Sequence, residues 1–160
     1  MTDTENLERF HSRKNPRLRD YDYSRPNYFF VTICTKEMRY LFGKAGAPNW
    51  RGKIVEKGLL NISEHFPSVR VDKYVIMPNH IHAIVVQTGW NSYLPTVIGQ
   101  YKAYVSKKIH ISEPDCMIWQ TSFHDHIIRN QKAYEKIWLY IDANPANWEK
   151  DCFFEENAQP

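Results

Sequence analysis

The stretch VDKYVIMPNHIHAIVVQ, residues 71–87, decides the fold. It predicts two strands, Val71–Met77 and His80–Gln87, joined by the turn residues Pro78 and Asn79. The second strand is apolar on both of its alternating faces, so neither face of its sheet can lie against water. The hairpin therefore predicts a sheet that is covered by helices on both sides.

The segments around this hairpin predict the remaining elements. An aromatic and β-branched run predicts a strand before it, and apolar residues at helical spacing predict three helices. The predicted elements are a strand at Tyr28–Thr35, a helix at Trp50–Phe66, a helix at Pro95–His110, a strand within Met117–Arg129 and a helix at Gln131–Ala143. The order strand, helix, strand, strand, helix, strand is that of the split βαβ, or ferredoxin-like, arrangement. We therefore expect an α+β domain with an antiparallel sheet, whose second face is covered by the last helix.

The length of 160 residues fits one domain that buries about two thirds of its unfolded surface. We expect a basic, poorly structured N-terminal arm at 1–25, a single domain at 26–150 and a tail at 151–160. The three cysteines are dispersed, which is typical of a reducing compartment. We recognise no leader sequence and no apolar run of about twenty residues, so we expect a cytoplasmic protein with no membrane partner.

The charge is concentrated near the N-terminus. The net charge of +3 and the sequence pI of about 8.7 are only a weak sign of an anionic partner. Five basic residues without an acidic one are Arg9, Arg13, Lys14, Arg17 and Arg19. This run is either a solvated terminus or an arm that contacts phosphate. Aromatic residues make up 14% of the chain, more than a small core needs, and spare rings can stack on nucleic-acid bases.

His80 and His82 flank one apolar residue at the start of the third strand. Alternate side chains of a strand point the same way, so both imidazoles project from one face, about 7 Å apart along the chain. They are either two ligands of one metal ion or two satisfied histidines. His124 and His126 have the same spacing, but Asp125 lies between them. We interpret that second pair as an exposed strand end or loop without a ligand role, although the spacing also permits a metal site there.

The last helix carries two tyrosines in different positions. At about 100° per residue, Tyr134 lies at the centre of an apolar stripe, so it is predicted to be a core residue. The stripe also contains Ile137, Trp138 and Ile141. Tyr140 and Asn144 lie one turn apart on the shoulder of this stripe, at the edge of the helix–sheet interface. They are either a functional pair or a solvent-facing tyrosine and an asparagine that ends the helix before Pro145.

The string VIMPNHIHAIV at 75–85 resembles the HUH signature, two histidines around one hydrophobic residue, of the single-tyrosine transposases of small bacterial insertion sequences. It is most similar to the REP-associated tyrosine transposases. Further segments that match the family in the same order are YFFVTICT at 28–35, WQTSFHDHIIR at 119–129 and YIDANP at 140–145. The resemblance spans residues 28–145, and the combination of the histidine signature with Tyr-x-x-x-Asn-Pro makes it specific.

The resemblance implies an HUH transposase-like fold that cleaves and rejoins DNA strands. The site residues it implies are His80 and His82 as metal ligands, Tyr140 as the nucleophile and Asn144, where relatives often carry glutamine, as a third ligand. The implied cofactor is a divalent cation, Mg²⁺ or Mn²⁺, held by imidazole nitrogens and an amide oxygen. The implied reaction is attack of tyrosine on a DNA phosphate, which leaves a 5′-phosphotyrosine bond and a free 3′-OH.

A DNA duplex does not offer such a site a flexible phosphate, so the expected partner is single-stranded or hairpin DNA. The residues predicted to contact its phosphates are Arg13, Arg17, Arg19 and Lys102. Relatives include monomers and dimers, so we expect the protein to act either as a monomer or as a homodimer.

Two other functions are compatible with the same fold. One is a non-catalytic RNA-binding module, but its signature Lys/Arg-Gly-Phe/Tyr-Gly/Ala-Phe is absent from the sequence. The other is a regulatory protein that binds single-stranded nucleic acid and has lost strand transfer. The residues that the resemblance implies for catalysis are intact, so the sequence gives no sign of this loss.

Overall fold

The computed structural model describes residues 17–156. Its strands are β1 (Asn27–Cys34), β2 (Gly43–Lys44), β3 (Ala47–Pro48), β4 (Val69–Ile76), β5 (His80–Gln87) and β6 (His124–Ile128). Its α-helices are α1 (Trp50–Leu60), α2 (Ile62–His65), α3 (Leu94–Ile109) and α4 (Gln131–Ala143), and short 3-10 helices occupy Lys36–Met38 and Pro145–Lys150. None of the helices in this range has the length and apolar character needed to cross a membrane.

Four strands form one antiparallel sheet in the order β4-β5-β1-β6. The two central strands, β1 and β5, are paired along their whole length, from Asn27 opposite Gln87 to Cys34 opposite His80. This strand order, with α1 and α3 in the connections, is the split βαβ arrangement, so the predicted ferredoxin-like fold is confirmed. The short strands β2 and β3 form a separate hairpin.

Both faces of the sheet are buried, as the apolar pattern of β5 predicts. The helices α1 and α3 cover one face, where the buried sheet residues include Val31, Ile81 and Val85. The helix α4 covers the other face. The cluster there consists of Phe30, Ile84, Val86 and Ile128 from the sheet with Ile137 and Ile141 from the helix. Because side chains alternate along β5, His80 and His82 lie on the α4 face, together with Ile84.

A β-bulge in β4 lets this outer strand direct neighbouring side chains to the two faces of the sheet. The register against β5 shifts between Val71 and Lys73. As a result both Val71 and Tyr74 pack against the α1–α3 cluster, whereas Lys73 faces α4. The Lys73 ammonium lies 2.5 Å from Asp142 Oδ1 and 3.7 Å from the centre of the Trp138 ring. The bulge thus provides a contact that holds the second half of α4 on the sheet.

The helix boundaries agree with the predictions to within one residue, except that one predicted helix is divided. The last helix occupies Gln131–Ala143 as predicted, and the side chain of Asn130 caps it by accepting a 2.8 Å hydrogen bond from the Ala133 N–H. The helix predicted at Trp50–Phe66 is instead divided at Asn61, whose backbone (φ −93°, ψ 3°) leaves the helical region. Asparagine weakens helices because its side chain competes for backbone hydrogen bonds.

The prediction that Tyr134 is a core residue is wrong. Its side chain is only partly buried, its hydroxyl donates to Asp72 Oδ2 at 3.4 Å, and its ring meets Tyr28 edge to face at 5.8 Å. Within α4 the buried residues are Ile137 and Ile141. The first turn of α4 meets Asp72 and the exposed ring of Tyr28, so Tyr134 lies at the rim of the helix–sheet interface.

The packed unit extends beyond the predicted single domain at both ends. Among residues 17–25, Tyr23 is 3% exposed, and its carbonyl accepts a hydrogen bond from Gln87 Nε2 at 2.9 Å. At the other end, the carbonyl of Phe153 accepts a hydrogen bond from Asn79 Nδ2 at 2.8 Å. Parts of the predicted arm and tail therefore take part in the fold.

We expect Ile141→Ala to lower the free energy of unfolding by about 2–5 kcal/mol, because this side chain is fully buried between α4 and the sheet. Leu139→Ala is the matched control on the same helix, since Leu139 is 62% exposed and its truncation removes little packing. Chemical denaturation followed by circular dichroism measures both variants. Equal losses of stability would contradict the placement of α4.

Candidate metal centre and active site

His80 and His82 meet at the end of β5 that follows the turn. Their Nε2 atoms are 3.1 Å apart, and both side chains are fully buried. Two ligand nitrogens that are each about 2.1 Å from one ion and about 90–110° apart lie roughly 3.0–3.4 Å from each other. The observed separation therefore fits two ligands of a single metal ion.

Neighbouring polar groups orient both imidazoles. Asn79 donates with Nδ2 to the Phe153 carbonyl, so its Oδ1 is the atom that accepts the Nδ1 proton of His80, at 2.8 Å. Nε2 of a neutral His80 then carries the lone pair. On the adjacent strand β1, the Thr32 hydroxyl lies 2.8 Å from Nδ1 of His82. Hydrogen bonds of this kind hold the ring and the tautomer of metal-binding histidines.

A carboxylate joins the two histidines. Asp151 follows the 3-10 helix after α4, and one ligand atom from each of His80, His82 and Asp151 lies within 4.8 Å of the other two. Asp151 Oδ1 accepts a hydrogen bond from the Phe153 N–H at 2.8 Å. Burial raises the pKa of the Asp151 carboxyl above its usual value. These three side chains could hold a metal ion.

Asn144, directly after α4, lies beside this carboxylate. It is 4% exposed, and its Nδ2 donates to Asp151 Oδ2 at 3.1 Å. Its Oδ1 is buried and has no hydrogen-bond donor among residues 17–156. A buried amide oxygen without a donor costs free energy, whereas a bound cation would satisfy it. Two imidazoles, a carboxylate and an amide oxygen form a donor set that fits a divalent cation.

Tyr140 places its hydroxyl at the edge of the same group. Its Oη lies 3.5 Å from Nε2 of His82, and its ring lies 5.4 Å from that imidazole and 6.1 Å, edge to face, from Phe30. One helical turn separates it from Asn144, as the helical phase predicts. The fold thus brings together in one chain the four residues that the resemblance singles out, namely His80, His82, Tyr140 and Asn144.

The segment after α4, residues 145–156, covers the imidazoles of His80 and His82 with aromatic rings. The centre of the Phe153 ring lies 4.5 Å from that of His80 and 6.3 Å from that of His82. The ring of Trp148 lies 5.9 Å from His80. Apolar rings lower the local dielectric constant, which strengthens charge–charge and charge–dipole interactions among the buried groups.

The predicted phosphate contacts differ in their surroundings. Arg13 lies outside the described residues, and Arg19 is exposed. Lys102 donates from Nζ to the carbonyls of Gln120 at 2.6 Å and Ser122 at 3.2 Å, and burial lowers the pKa of its ammonium. Lys102 therefore holds the segment before β6 in place. A contact between these basic residues and DNA phosphate stays a prediction.

Arg17 forms an ion pair with a buried carboxylate. Its Nη1 lies 2.9 Å from Asp125 Oδ1 and donates to the Phe123 carbonyl at 2.7 Å, while its guanidinium lies 3.4 Å from the centre of the Phe123 ring. Asp125 belongs to β6 and is 3% exposed, so the interpretation of residues 124–126 as an exposed strand end or loop is wrong. The arginine provides the charge that permits an acidic residue to be buried there.

His124 and His126 lie on the α4 face of β6, opposite Thr32 and Phe30 of β1. The strand β1 separates them from His82 by two strand spacings, or about 10 Å. Among residues 17–156, the histidine–carboxylate group that could hold a metal does not include the second pair.

Sequence reasoning missed Asp151, Asn79 and Thr32 as parts of the site. The six-residue 3-10 helix before Asp151 has no periodic pattern that would indicate where the chain turns back. The sequence predicts Asn79 only as a turn residue. The register of the two central strands places Thr32 opposite His82. One sequence does not show that register, so Thr32 could not be identified in advance.

We expect Arg17→Ala to lower the free energy of unfolding by on the order of 3 kcal/mol, because it removes the charge that faces the buried Asp125 carboxylate. Arg19→Ala is the matched control, since Arg19 is exposed in the same segment. Thermal and chemical unfolding measure the difference. Equal stability of the two variants would show that the ion pair does not hold the N-terminal segment.

Comparison with known proteins gives a relative by sequence. No protein-family model matches the chain. An uncharacterized protein of Haemophilus influenzae is 32% identical over an alignment of 169 positions, which covers 90% of this chain and 94% of that protein.

Two solved structures have a similar fold. A REP-associated tyrosine transposase bound to a REP hairpin has a TM-score of 0.66 at 20% identity, covering 82% of this chain and 73% of that one. A candidate transposase from Deinococcus radiodurans R1 has a TM-score of 0.54 at 15% identity, covering 81% of this chain and 96% of that one. The chain therefore belongs to the same family as the Haemophilus influenzae protein, and it has the fold of a REP-associated tyrosine transposase.

Proposed function

We propose that this protein is a metal-dependent transposase, an endonuclease and strand transferase that acts on single-stranded, hairpin-forming DNA. One observation carries the proposal: the Tyr140 hydroxyl lies 3.5 Å from a His82 imidazole that itself converges with His80. A nucleophile beside a pair of metal-binding side chains is what phosphoryl transfer to a protein residue needs. The fold neighbours support the proposal, since one of them is a REP-associated tyrosine transposase bound to a REP hairpin.

The cofactor we propose is Mg²⁺ or Mn²⁺, held by His80, His82 and Asn144. When bound, such a cation polarises a phosphate group and favours the ionised form of a tyrosine, whose ordinary pKa is about 10. The hydrogen bonds of Asn79 and Thr32 to the imidazoles keep their Nε2 atoms directed at one point.

Tyr140 is the proposed nucleophile. The bond from its Oη to the phosphorus forms while the bond from phosphorus to the 3′ oxygen breaks, which leaves a 5′-phosphotyrosine linkage and a free 3′-OH. Another 3′-OH can then displace the tyrosine and rejoin the DNA without an external source of energy. Packing of α4 against the sheet holds the hydroxyl in position, and such positioning accounts for much of the rate of an enzymatic reaction.

Exposed aromatic and basic groups support a single-stranded nucleic acid as the substrate. Trp90 is 63% exposed and Tyr93 is 50% exposed, so both rings are available to stack on bases. Arg25 lies over the Trp90 ring at 5.8 Å. Arg13 and Arg19 are proposed phosphate contacts, as are Arg17 and Lys102, whose contacts with phosphate would compete with their internal hydrogen bonds.

A regulatory protein that binds nucleic acid without cleaving it is the second candidate. The observation in its favour is that both imidazoles are buried, with the ring of Phe153 packed against them. This packing shields the two imidazoles from solvent. Formation of a covalent protein–DNA adduct separates this candidate from the transposase.

We expect the wild-type protein, incubated with labelled hairpin DNA and Mn²⁺, to give a covalent band on a denaturing gel that Tyr140→Phe does not give. The substitution removes only the nucleophilic oxygen, so the melting temperature should change little. Tyr134→Phe is the matched control on the same helix and should keep the adduct. A DNA-linked peptide modified at any tyrosine other than Tyr140 in mass spectrometry would overturn the assignment.

We expect excess EDTA, His80→Ala and His82→Ala each to abolish the adduct while hairpin binding persists. Binding depends on phosphate and stacking contacts, so it should survive metal removal and weaken steeply with salt. Because both histidines are buried, EDTA on the wild-type protein provides the test that does not depend on folding of a variant. His65→Ala, at an exposed position in α2, is the control variant. Adduct formation in EDTA would contradict a metal-dependent mechanism.

A further inference from the structure

We propose that Asp151 is an anionic ligand of the cation at His80 and His82, and that its carboxylate also fixes the orientation of the Asn144 amide. The protein would then supply a carboxylate and an amide oxygen to the cation in addition to the two imidazoles, rather than the amide oxygen alone. This inference rests on the proposed function only in requiring that the two histidines bind a divalent cation.

The backbone after α4 brings the carboxylate to the histidines and holds it there. The 3-10 helix Pro145–Lys150 reverses the chain, so that Asp151 lies with His80 and His82 in one group of ligand atoms no more than 4.8 Å apart. Asp151 Oδ1 accepts the Phe153 N–H at 2.8 Å. A side chain that is held by the backbone in this way loses little conformational freedom when it binds an ion.

The hydrogen bond between Asn144 and Asp151 decides which way the amide points. A carboxylate only accepts hydrogen bonds, so the amide atom at 3.1 Å from Asp151 Oδ2 must be the Nδ2 donor. Oδ1 of Asn144 is then the buried atom that has no donor among the described residues. Without the carboxylate, the amide could rotate and present its NH₂ group, which cannot bind a cation. Asp151 is therefore a positioning residue for Asn144 as well as a ligand.

The charge of the site favours the same assignment. Two neutral imidazoles and an amide leave the double positive charge of the ion uncompensated in a buried site, whereas one carboxylate halves it. Hard cations such as Mg²⁺ and Mn²⁺ prefer oxygen ligands, above all carboxylates, and imidazole-rich sites favour softer ions such as Co²⁺. Asp151 thus adds the oxygen ligand that makes a site with two histidines suitable for Mg²⁺ or Mn²⁺.

The test is titration of the metal-free protein with MnCl₂ alone, by isothermal calorimetry and by the electron paramagnetic resonance signal of free Mn²⁺. We expect Asp151→Asn to weaken Mn²⁺ affinity by at least about tenfold. The loss should be larger for Mg²⁺ than for Co²⁺, which a purely structural role of Asp151 would not produce. Glu149→Gln, an exposed acidic residue in the preceding turn, is the matched control and should bind Mn²⁺ like the wild type.

Two further variants keep the test decisive. Asp151→Glu retains the charge and should restore part of the affinity, and Asp151→Ser gives the same comparison if Asp151→Asn does not fold in EDTA. Unchanged Mn²⁺ affinity in folded Asp151→Asn or Asp151→Ser would overturn the proposal. If Mn²⁺ affinity depends on Asp151 but the protein forms no adduct at Tyr140, this inference is supported and the proposed function is contradicted. If the adduct forms fully and the Asp151 variants bind Mn²⁺ like the wild type, the proposed function is supported and this inference is contradicted.

Discussion

Pairing of the central strands β1 and β5 in a single register places the histidines of the site. This register sets Thr32 opposite His82 and Cys34 opposite His80. A shift by one residue would turn both imidazoles to the other face of the sheet, away from Tyr140. The register is strongly specified because both faces are packed, one against α1 and α3 and the other against α4. The geometry of the candidate metal centre therefore depends on the same packing that forms the core.

The position of the nucleophile depends on how α4 is seated on this sheet. Its fully buried Ile141 contributes about 2–5 kcal/mol, and the adjacent Tyr140 hydroxyl follows from where that side chain packs. The ion pair between Lys73 and Asp142 is largely exposed on the acid side, where such pairs contribute about 0–1 kcal/mol. Hydrophobic burial thus contributes more than the ion pair to holding α4 on the sheet.

Features that arise from short periodic patterns could be predicted from the sequence. The sheet order, the helix α4 and the proximity of His80, His82 and Tyr140 follow from alternation in strands, the helical repeat and a matching family signature. Asp151 could not be predicted, because a 3-10 helix of irregular course separates it from α4. The sequence predicts Arg17 only as a phosphate contact, and its ion pair with Asp125 could not be predicted, because only the fold shows that this carboxylate is buried beside it. One sequence does not reveal contacts between distant residues that no repeat and no family signature marks.

The bulge in β4 also affects how copies of the protein meet. With β4 and β6 outermost, the sheet has two edges whose backbone groups could pair with those of another copy. The bulge between Val71 and Lys73 interrupts the first edge, and the ion pair of Arg70 with Asp72 at 2.8 Å adds charge to it. At the second edge, β6 has only five residues. Strand addition is therefore unfavourable at either edge, so contacts between copies are not expected to extend the sheet.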